Sequence, residues 1–539
     1  MLEARTGSRP SDDHFRLELG LLYFAEGQGK KAEDAWRSVF AGKHVRTRRN
    51  YAAYVYRDVL EYGLGAQLYS VVQELRSITG IENLLVRYLF NICVQYRDWE
   101  HAAGEVQHIV ETQPEDLRYV RQALFRQPPD ASLYDLIGGK ISDNEDPDVK
   151  IFLSEMYTHT EAYDKAYAIL KTGEGVPELR EAMGEFARRM FNRQEYGMAL
   201  AAAEWREKHA PDPLEKAGMK LLSAQSREQL FYMHEKTGTF IPMPYASELT
   251  EIRFRSYDPE YTAEIEMALA VYDSLSTVAR PVSQVAAFRR AEILYLVYHD
   301  FDGALKAYRS LAPQATGQLR ITVLSRISDL LIAQGEYRKA LDFIRNAGSE
   351  YRLMVHEEDR LLPQALYVSF MADETDSLKA RIGEVTALLP EGDVLYNDVL
   401  GFAGFVSEGL KDSLNRDDWL QAERMLAKNH ISEAAERFHS LLRKRSPAKA
   451  LYGMRYLDCL RLLDEETREE AFWKAYSETL LDSEAGDFFM LRYAEFLEKT
   501  HKLKKAVEIY EKYLLSYQES MYYESVREYL REKDPAGES

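Results

Sequence analysis

Apolar and polar positions recur along this chain with a helical period, and the pattern is plainest between Leu19 and Val39. Leu19 and Tyr23 lie four apart and share one helical face, while Ala32, Trp36 and Val39 make a matching face on a second helix. Gly27 and Gly29 flank Gln28 between them, and glycine reaches the backbone conformations that a tight turn needs. Gly20 on the first helix and Ala32 on the second are small enough to let the two helices cross closely. The stretch therefore predicts an antiparallel helix hairpin. One hairpin cannot bury both of its apolar faces, so it requires a neighbour on each side.

The same spacing returns down the chain. Leu89, Phe90, Cys93, Ala102, Val106 and Ile109 repeat it, as do Leu153, Tyr157, Ala166 and Leu170, and then Phe186, Met190, Ala199 and Ala203. Later units centre on Ala304, Ala340, Ala434, Ala471 and Ala506. The marker alanines at 32, 102, 166, 199, 304, 340, 434, 471 and 506 are separated by 70, 64, 33, 105, 36, 94, 37 and 35 residues. These are single periods, or close to multiples, of about 34 residues. Ala66 fills the first long interval.

The joint recurrence of small residue, turn and aromatic resembles the tetratricopeptide repeat family, with sel1-like or half-a-TPR units as the near alternative. The resemblance implies an all-α, right-handed superhelical solenoid of antiparallel helix hairpins, in the manner of long stand-alone bacterial arrays. It implies a concave face lined mainly by the first helix of each hairpin, receiving a protein or peptide partner, with no cofactor. Some family members clamp a partner's C-terminal carboxylate with basic residues and asparagine. Arg87 and Asn91, four apart on the first helix of a unit, sit at matching places, but the remaining clamp residues are not recognisable.

The rhythm divides the chain into an N-terminal tail (1–12), an N-terminal array (13–233), an irregular segment (234–262), a C-terminal array (263–530) and a C-terminal tail (531–539). The irregular segment carries Phe240, Ile241, Met243 and Tyr245 around two prolines and cannot be helical throughout. Its apolar content predicts that it packs on the chain itself, with partner contact as the second reading. The acidic run Asp143, Asn144, Glu145, Asp146, Asp148 lacks the glycine and terminal glutamate of a calcium loop and reads as a hairpin turn.

Composition narrows the function. The 539 residues carry 69 Lys plus Arg against 88 Asp plus Glu, a formal charge of −19. That balance argues against a general nucleic-acid binder and favours a partner with some positive charge. Two cysteines, Cys93 and Cys459, exclude a disulfide framework. No run of 18 apolar residues occurs, so no transmembrane segment is expected. The opening lacks an apolar signal segment. The expected location is the cytoplasm, or the periplasm or cell envelope if a leader or anchor has been removed.

No metalloprotease helix, phosphate loop or nucleophile elbow is present, so no catalytic or metal residue is assigned. An enzyme of this sequence would need a deep pocket near residues 234–262, and a small-molecule substrate is not expected. The partner-binding candidates are Arg87, Asn91, Arg289, Trp419 and Glu423 on the groove side, with Ile293 and Leu296 beside Arg289. A locally basic stretch adds Arg46, Arg48 and Arg49, suited to an acidic partner or a phospholipid surface, or simply a solvated helix start. The expected function is a non-catalytic interaction scaffold, set in cell-envelope assembly or polysaccharide export. The alternative is a cytoplasmic adaptor or peptide sensor.

Overall fold

A computed structural model describes residues 13–234, 247–254, 257, 259–389, 392–483, 485–520 and 522–533. Its described residues form 29 α-helices and a few short 3-10 turns. The protein is an all-α array of antiparallel helix hairpins. It divides into two compact units, Met1–Ser223 and Ala224–Ser539, and the division falls inside helix Pro213–Tyr232. Phe240, Ile241, Met243 and Tyr245 lie outside the described residues.

Ten hairpins share one turn. Gly27, Arg97, Glu161, Gln194, His299, Gly335, Asp373, Asn429, Asp464 and His501 all have positive φ, and each stands two residues before its hairpin's second helix. In most of them the next residue's amide returns to a carbonyl five positions back. Asp98 N to Cys93 O (2.8 Å), Glu195 N to Met190 O (2.9 Å) and Lys502 N to Leu497 O (2.7 Å) are examples. This is the left-handed ending that ties off a helix's free carbonyls. Only two of the ten are glycine. The other eight accept a left-handed conformation that L-residues avoid.

Five residues after each left-handed position lies the helix crossing. Ala32, Ala102, Ala166, Ala199, Ala304, Ala340 and Ala434 occupy it with no exposed surface, and Ala506 with 1%. The remaining two crossings hold Leu378 and Glu469, both buried. Ala471 is therefore not a crossing residue: it is exposed, and Glu469, two residues earlier, takes that place beside Trp473 and Arg461. Ala66 is likewise exposed, in the 3-10 turn Gly65–Gln67, and Leu68 is the buried residue five after left-handed Gly63.

In the first hairpin, helix Asp13–Ala25 buries Leu17, Gly20 and Leu21, while Leu19 and Tyr23 are only half-buried. The small residue is obligatory here. A Cβ on Gly20 would lie 2.4 Å from Trp36 Nε1. That indole donates to Leu17 O at 3.0 Å. Gly409 repeats the device in the second unit, where a Cβ would meet the Trp419 ring at 2.1 Å. The acidic run ends in a helix cap: Asp146 accepts from the Asp148 amide at 2.8 Å at the start of helix Pro147–His159.

The second unit departs from a plain repeat at two places. Helix Val394–Leu410 stands alone between hairpins, which lengthens the interval between Ala340 and Ala434. The segment 247–254 is non-helical and buries Leu249, Thr250, Ile252 and Phe254, in the same apolar core as the surrounding helices. No helix among the described residues is long and apolar enough to cross a membrane.

Candidate functional site

The first helices of the second unit's hairpins face a common interior. Helices Val282–Leu296, Gly317–Ala333, Leu362–Met371, Arg416–Ala427 and Lys449–Leu462 supply Tyr295, Asp329, Tyr367, Glu423 and Arg455 to one cavity. Thr250 through Phe254 supply its remaining wall. On one side the array meets itself: Asn429 Nδ2 lies 3.1 Å from His299 Nδ1, 130 residues apart in sequence. The Arg424 guanidinium sits 4.5 Å over the Tyr337 ring.

Residues 247–254 hold this interior by three kinds of contact. A turn at Ser247–Thr250 is pinned by the Glu248 amide, which donates to Asp398 Oδ1 at 3.0 Å. The Arg253 guanidinium pairs with Asp329 at 2.9 Å. Phe254 packs edge-on against Tyr295 (5.8 Å) and His299 (5.2 Å), and against Phe301 (5.9 Å). Glu248 and Glu251 point outward. Apolar groups and the Arg253 cation therefore face in, while both glutamates keep exposed surface.

The polar groups inside form a connected chain. Asp329 also receives the Gln364 amide at 2.6 Å and Arg326 at 3.3 Å. Arg326 continues to Glu292 at 2.8 Å, and Glu292 accepts from the Tyr308 hydroxyl. Burial pushes the Asp329 carboxyl above its usual range, opposed by the Arg253 guanidinium and the Gln364 amide. Burial raises Glu292 likewise, against the Tyr308 hydroxyl. Burial alone would lower Arg253, but the surrounding groups, Asp329 first and then Tyr295, Tyr367 and Glu292, together more than offset it, so the guanidinium is held firmly protonated. The space left among these groups is about 30 Å³. A water needs roughly 10–15 Å³ measured in this way. With the segment in place, the interior admits water and nothing larger.

The sequence-derived candidates are dispersed by the structure. Trp419 is fully buried against Phe370 and Phe405, and its indole donates to Glu423 at 3.2 Å, so it is a packing residue and not an exposed anchor. Glu423 does reach the interior, bound to Arg455 at 2.9 Å. Arg289 is turned to Glu228 (2.9 Å), a fully buried carboxylate that also accepts from Tyr272 at 2.7 Å. Ile293 is buried and Leu296 half-buried. In the basic stretch, Arg48 donates to Thr79 O at 2.8 Å, satisfying a helix C-terminus, and Arg49 donates to Asn83 Oδ1 at 2.6 Å. Arg46 stays exposed.

Arg87 and Asn91 occupy the first unit and are engaged within it. Arg87 pairs with Asp116 (Nε to Oδ2, 2.7 Å) and lies 5.6 Å over the Tyr119 ring, whose hydroxyl accepts from Asn91. Arg87 also lines an open cavity of about 540 Å³ with Arg118, Tyr119, Arg121, Gln122, Phe125 and Arg126. Arg121 is matched by Glu155, whereas Arg118 and Arg126 are exposed and have no ion-pair partner among the described residues. That mouth suits an anionic group. Sequence reasoning did not reach Arg253, Asp329, Arg326 or Arg455. Asp329 and Arg326 fall in the apolar run Ile321–Ala333, where buried charges inside a hydrophobic helix are themselves the signal.

Comparison with solved structures returns a Rap protein complexed with competence and sporulation factor and yeast Tom70. The first is 16% identical over 67% of this chain and 99% of that chain, with a TM-score of 0.29. The second is 9% identical over 94% of this chain and 98% of that one, with a TM-score of 0.23. At these values neither similarity bears on a partner. No family model matches the chain, and no curated protein matches it.

Proposed function

We propose that the protein is a non-catalytic interaction scaffold which takes a non-helical run of a partner polypeptide on the inner face of its C-terminal unit. One observation carries this reading: that face already holds a non-helical run, with Ile252 and Phe254 buried and Arg253 paired to Asp329. A surface that seats eight residues of its own chain through pockets for alternate side chains has the parts that peptide recognition uses. The open basic mouth of the first unit would suit an anionic group. Within this reading the expected setting is cell-envelope assembly or polysaccharide export, with a cytoplasmic adaptor as the alternative. Fractionation of the source cells separates these.

A photo-crosslinking residue at Ala427, which lines the interior, tests the proposal against one at exposed Lys512 on helix Leu503–Ser516. The expected result is a crosslink from position 427 to one mapped segment of one protein, absent from position 512. Equal, unmapped crosslinking from both positions, or crosslinks from 427 to this chain alone once Arg253→Ala/Phe254→Ala has freed the interior, would overturn it.

A further inference from the structure

We propose that Ser247–Phe254 is an intramolecular ligand, and that the partner displacing it presents an arginine followed by an aromatic residue in a non-helical run. This rests on the interior of the C-terminal unit being a peptide site, and it adds the ligand's chemistry and its competitor.

Charge complementarity specifies the arginine. Without the segment, the interior and the groups bonded to it contain three carboxylates, Glu292, Asp329 and Glu423, and two guanidiniums, Arg326 and Arg455. Arg455 is committed to Glu423. Arg326 bridges Glu292 and Asp329 and satisfies neither alone. The neighbouring Glu228 and Arg289 cancel each other. One negative charge at Asp329, 4% exposed in its side chain, is thus left for an incoming cation. A buried carboxylate without a partner is costly, so an occupant lacking the cation is rejected.

Shape specifies the aromatic. Tyr295, His299 and Phe301 make a three-sided aromatic socket, and Phe254 fills it with 4% of its surface exposed. Guanidinium and ring come from adjacent residues of a non-helical run and reach two different walls, Asp329 and the aromatic socket. The displacing occupant is taken to share that non-helical form, as Ile252–Phe254 has it. Glu248 and Glu251 are the exposed positions of the run.

Because the occupant is tethered to its own site, its effective concentration is high. A partner carrying the same two side chains therefore competes against the chain itself, and the wild-type protein reads as a weak binder until the segment is displaced.

The test uses the full chain and a fluorescein-labelled peptide of the sequence Ser-Glu-Leu-Thr-Glu-Ile-Arg-Phe, followed by anisotropy. In the variant Arg253→Ala/Phe254→Ala the resident occupant loses both anchors. That variant is expected to bind the peptide saturably and at least ~10-fold more tightly than wild type, as removal of a tethered competitor requires. Adding Asp329→Asn to it should weaken binding by ~10-fold or more, and an unlabelled peptide with alanine for arginine should fail to compete. The proposal is overturned if the variant keeps its helical circular dichroism yet does not bind, or binds no better than wild type. Should the double variant lose helicity, Phe254→Ala alone replaces it, and equal peptide binding by that chain and wild type overturns the proposal. The outcome is separable from the broader reading. A partner segment crosslinked at position 427 that lacks an arginine–aromatic pair, and that the peptide does not displace, leaves the scaffold intact and removes this ligand assignment.

Discussion

Removing Glu423 tests the interior packing most severely. The side chains of Glu423 and Arg455 are each 3% exposed, with two hydrogen bonds between them. The Trp419 indole donates to the same carboxylate at 3.2 Å. In Glu423→Ala the guanidinium stays buried without its hydrogen-bonded partner, near the Phe405 ring at 5.2 Å and the Asp458 charge, and the indole loses its acceptor. Taking one partner from a buried pair costs about 3–5 kcal/mol, and the orphaned indole adds about 1 kcal/mol. Replacing both members, as Glu423→Leu/Arg455→Met, removes both desolvation costs and should return to within about 1–2 kcal/mol of wild type. Urea denaturation followed by circular dichroism and tryptophan fluorescence measures this, since Trp419 reports on the site itself. With an m-value of about 2 kcal/mol per molar, the single variant should lower the local transition by about 2–3 M. The double variant should be more stable than Glu423→Ala. A single variant within about 0.5 kcal/mol of wild type, or a double variant as unstable as the two singles summed, would refute the buried pair.

The remaining expectations concern turns, crossings and pH. Gln194→Gly relieves a left-handed glutamine at an exposed position and should stabilise its hairpin by about 0.5–1 kcal/mol in thermal melts. Ala199→Leu forces a larger side chain into a fully buried crossing and should cost about 1–3 kcal/mol by the same measurement. Gly409→Ala places a methyl within the Trp419 ring contact and should cost about 3 kcal/mol with a shift in tryptophan emission, whereas Gly104→Ala, where nothing lies within 4 Å, should be neutral or stabilising. Burial beside Phe254 lowers the His299 pKa, so folding favours the neutral imidazole. Its contribution is complete above the unfolded value of about 6.5 and is lost as pH falls through the lower folded value. His299→Asn, which keeps a residue tolerant of positive φ, should flatten the melting-temperature profile between pH 7.5 and 5. An unchanged slope would contradict the assignment.

The hairpin architecture was legible because crossings demand small residues, and eight alanines obey that demand at one register. The register failed where chemistry replaced size. At the Asp464 hairpin the crossing holds Glu469, stabilised by Arg461 and the Trp473 indole, so the nearest alanine, Ala471, misled by two positions. Leu378 escaped because a buried leucine, not a small residue, holds that crossing, and the solitary helix Val394–Leu410 broke the period after it. The turns were hidden because eight of ten left-handed positions hold residues other than glycine. Of the interior's lining residues, the partner-binding candidates included only Glu423. Arg253 and Asp329 lie 76 positions apart, and their pairing depends on how tightly the C-terminal hairpins wind, which no local pattern encodes. Phe240, Ile241, Met243 and Tyr245, on which the expectation of self-packing rested, lie outside the described residues, while residues 247–254 of the same segment are seen packed on the chain.

The account turns on whether residues 247–254 occupy the interior of the C-terminal unit in solution. Amide hydrogen exchange of the wild-type chain, resolved to that peptide, measures it directly. The amides of Glu248, Leu249, Thr250 and Glu251 are hydrogen-bonded to Asp398 or within the Ser247 turn. They should exchange far more slowly than an unstructured peptide, and Asp329→Asn should speed them by releasing Arg253. Exchange at the unstructured rate in the wild-type protein would show the segment outside the site and would contradict the account.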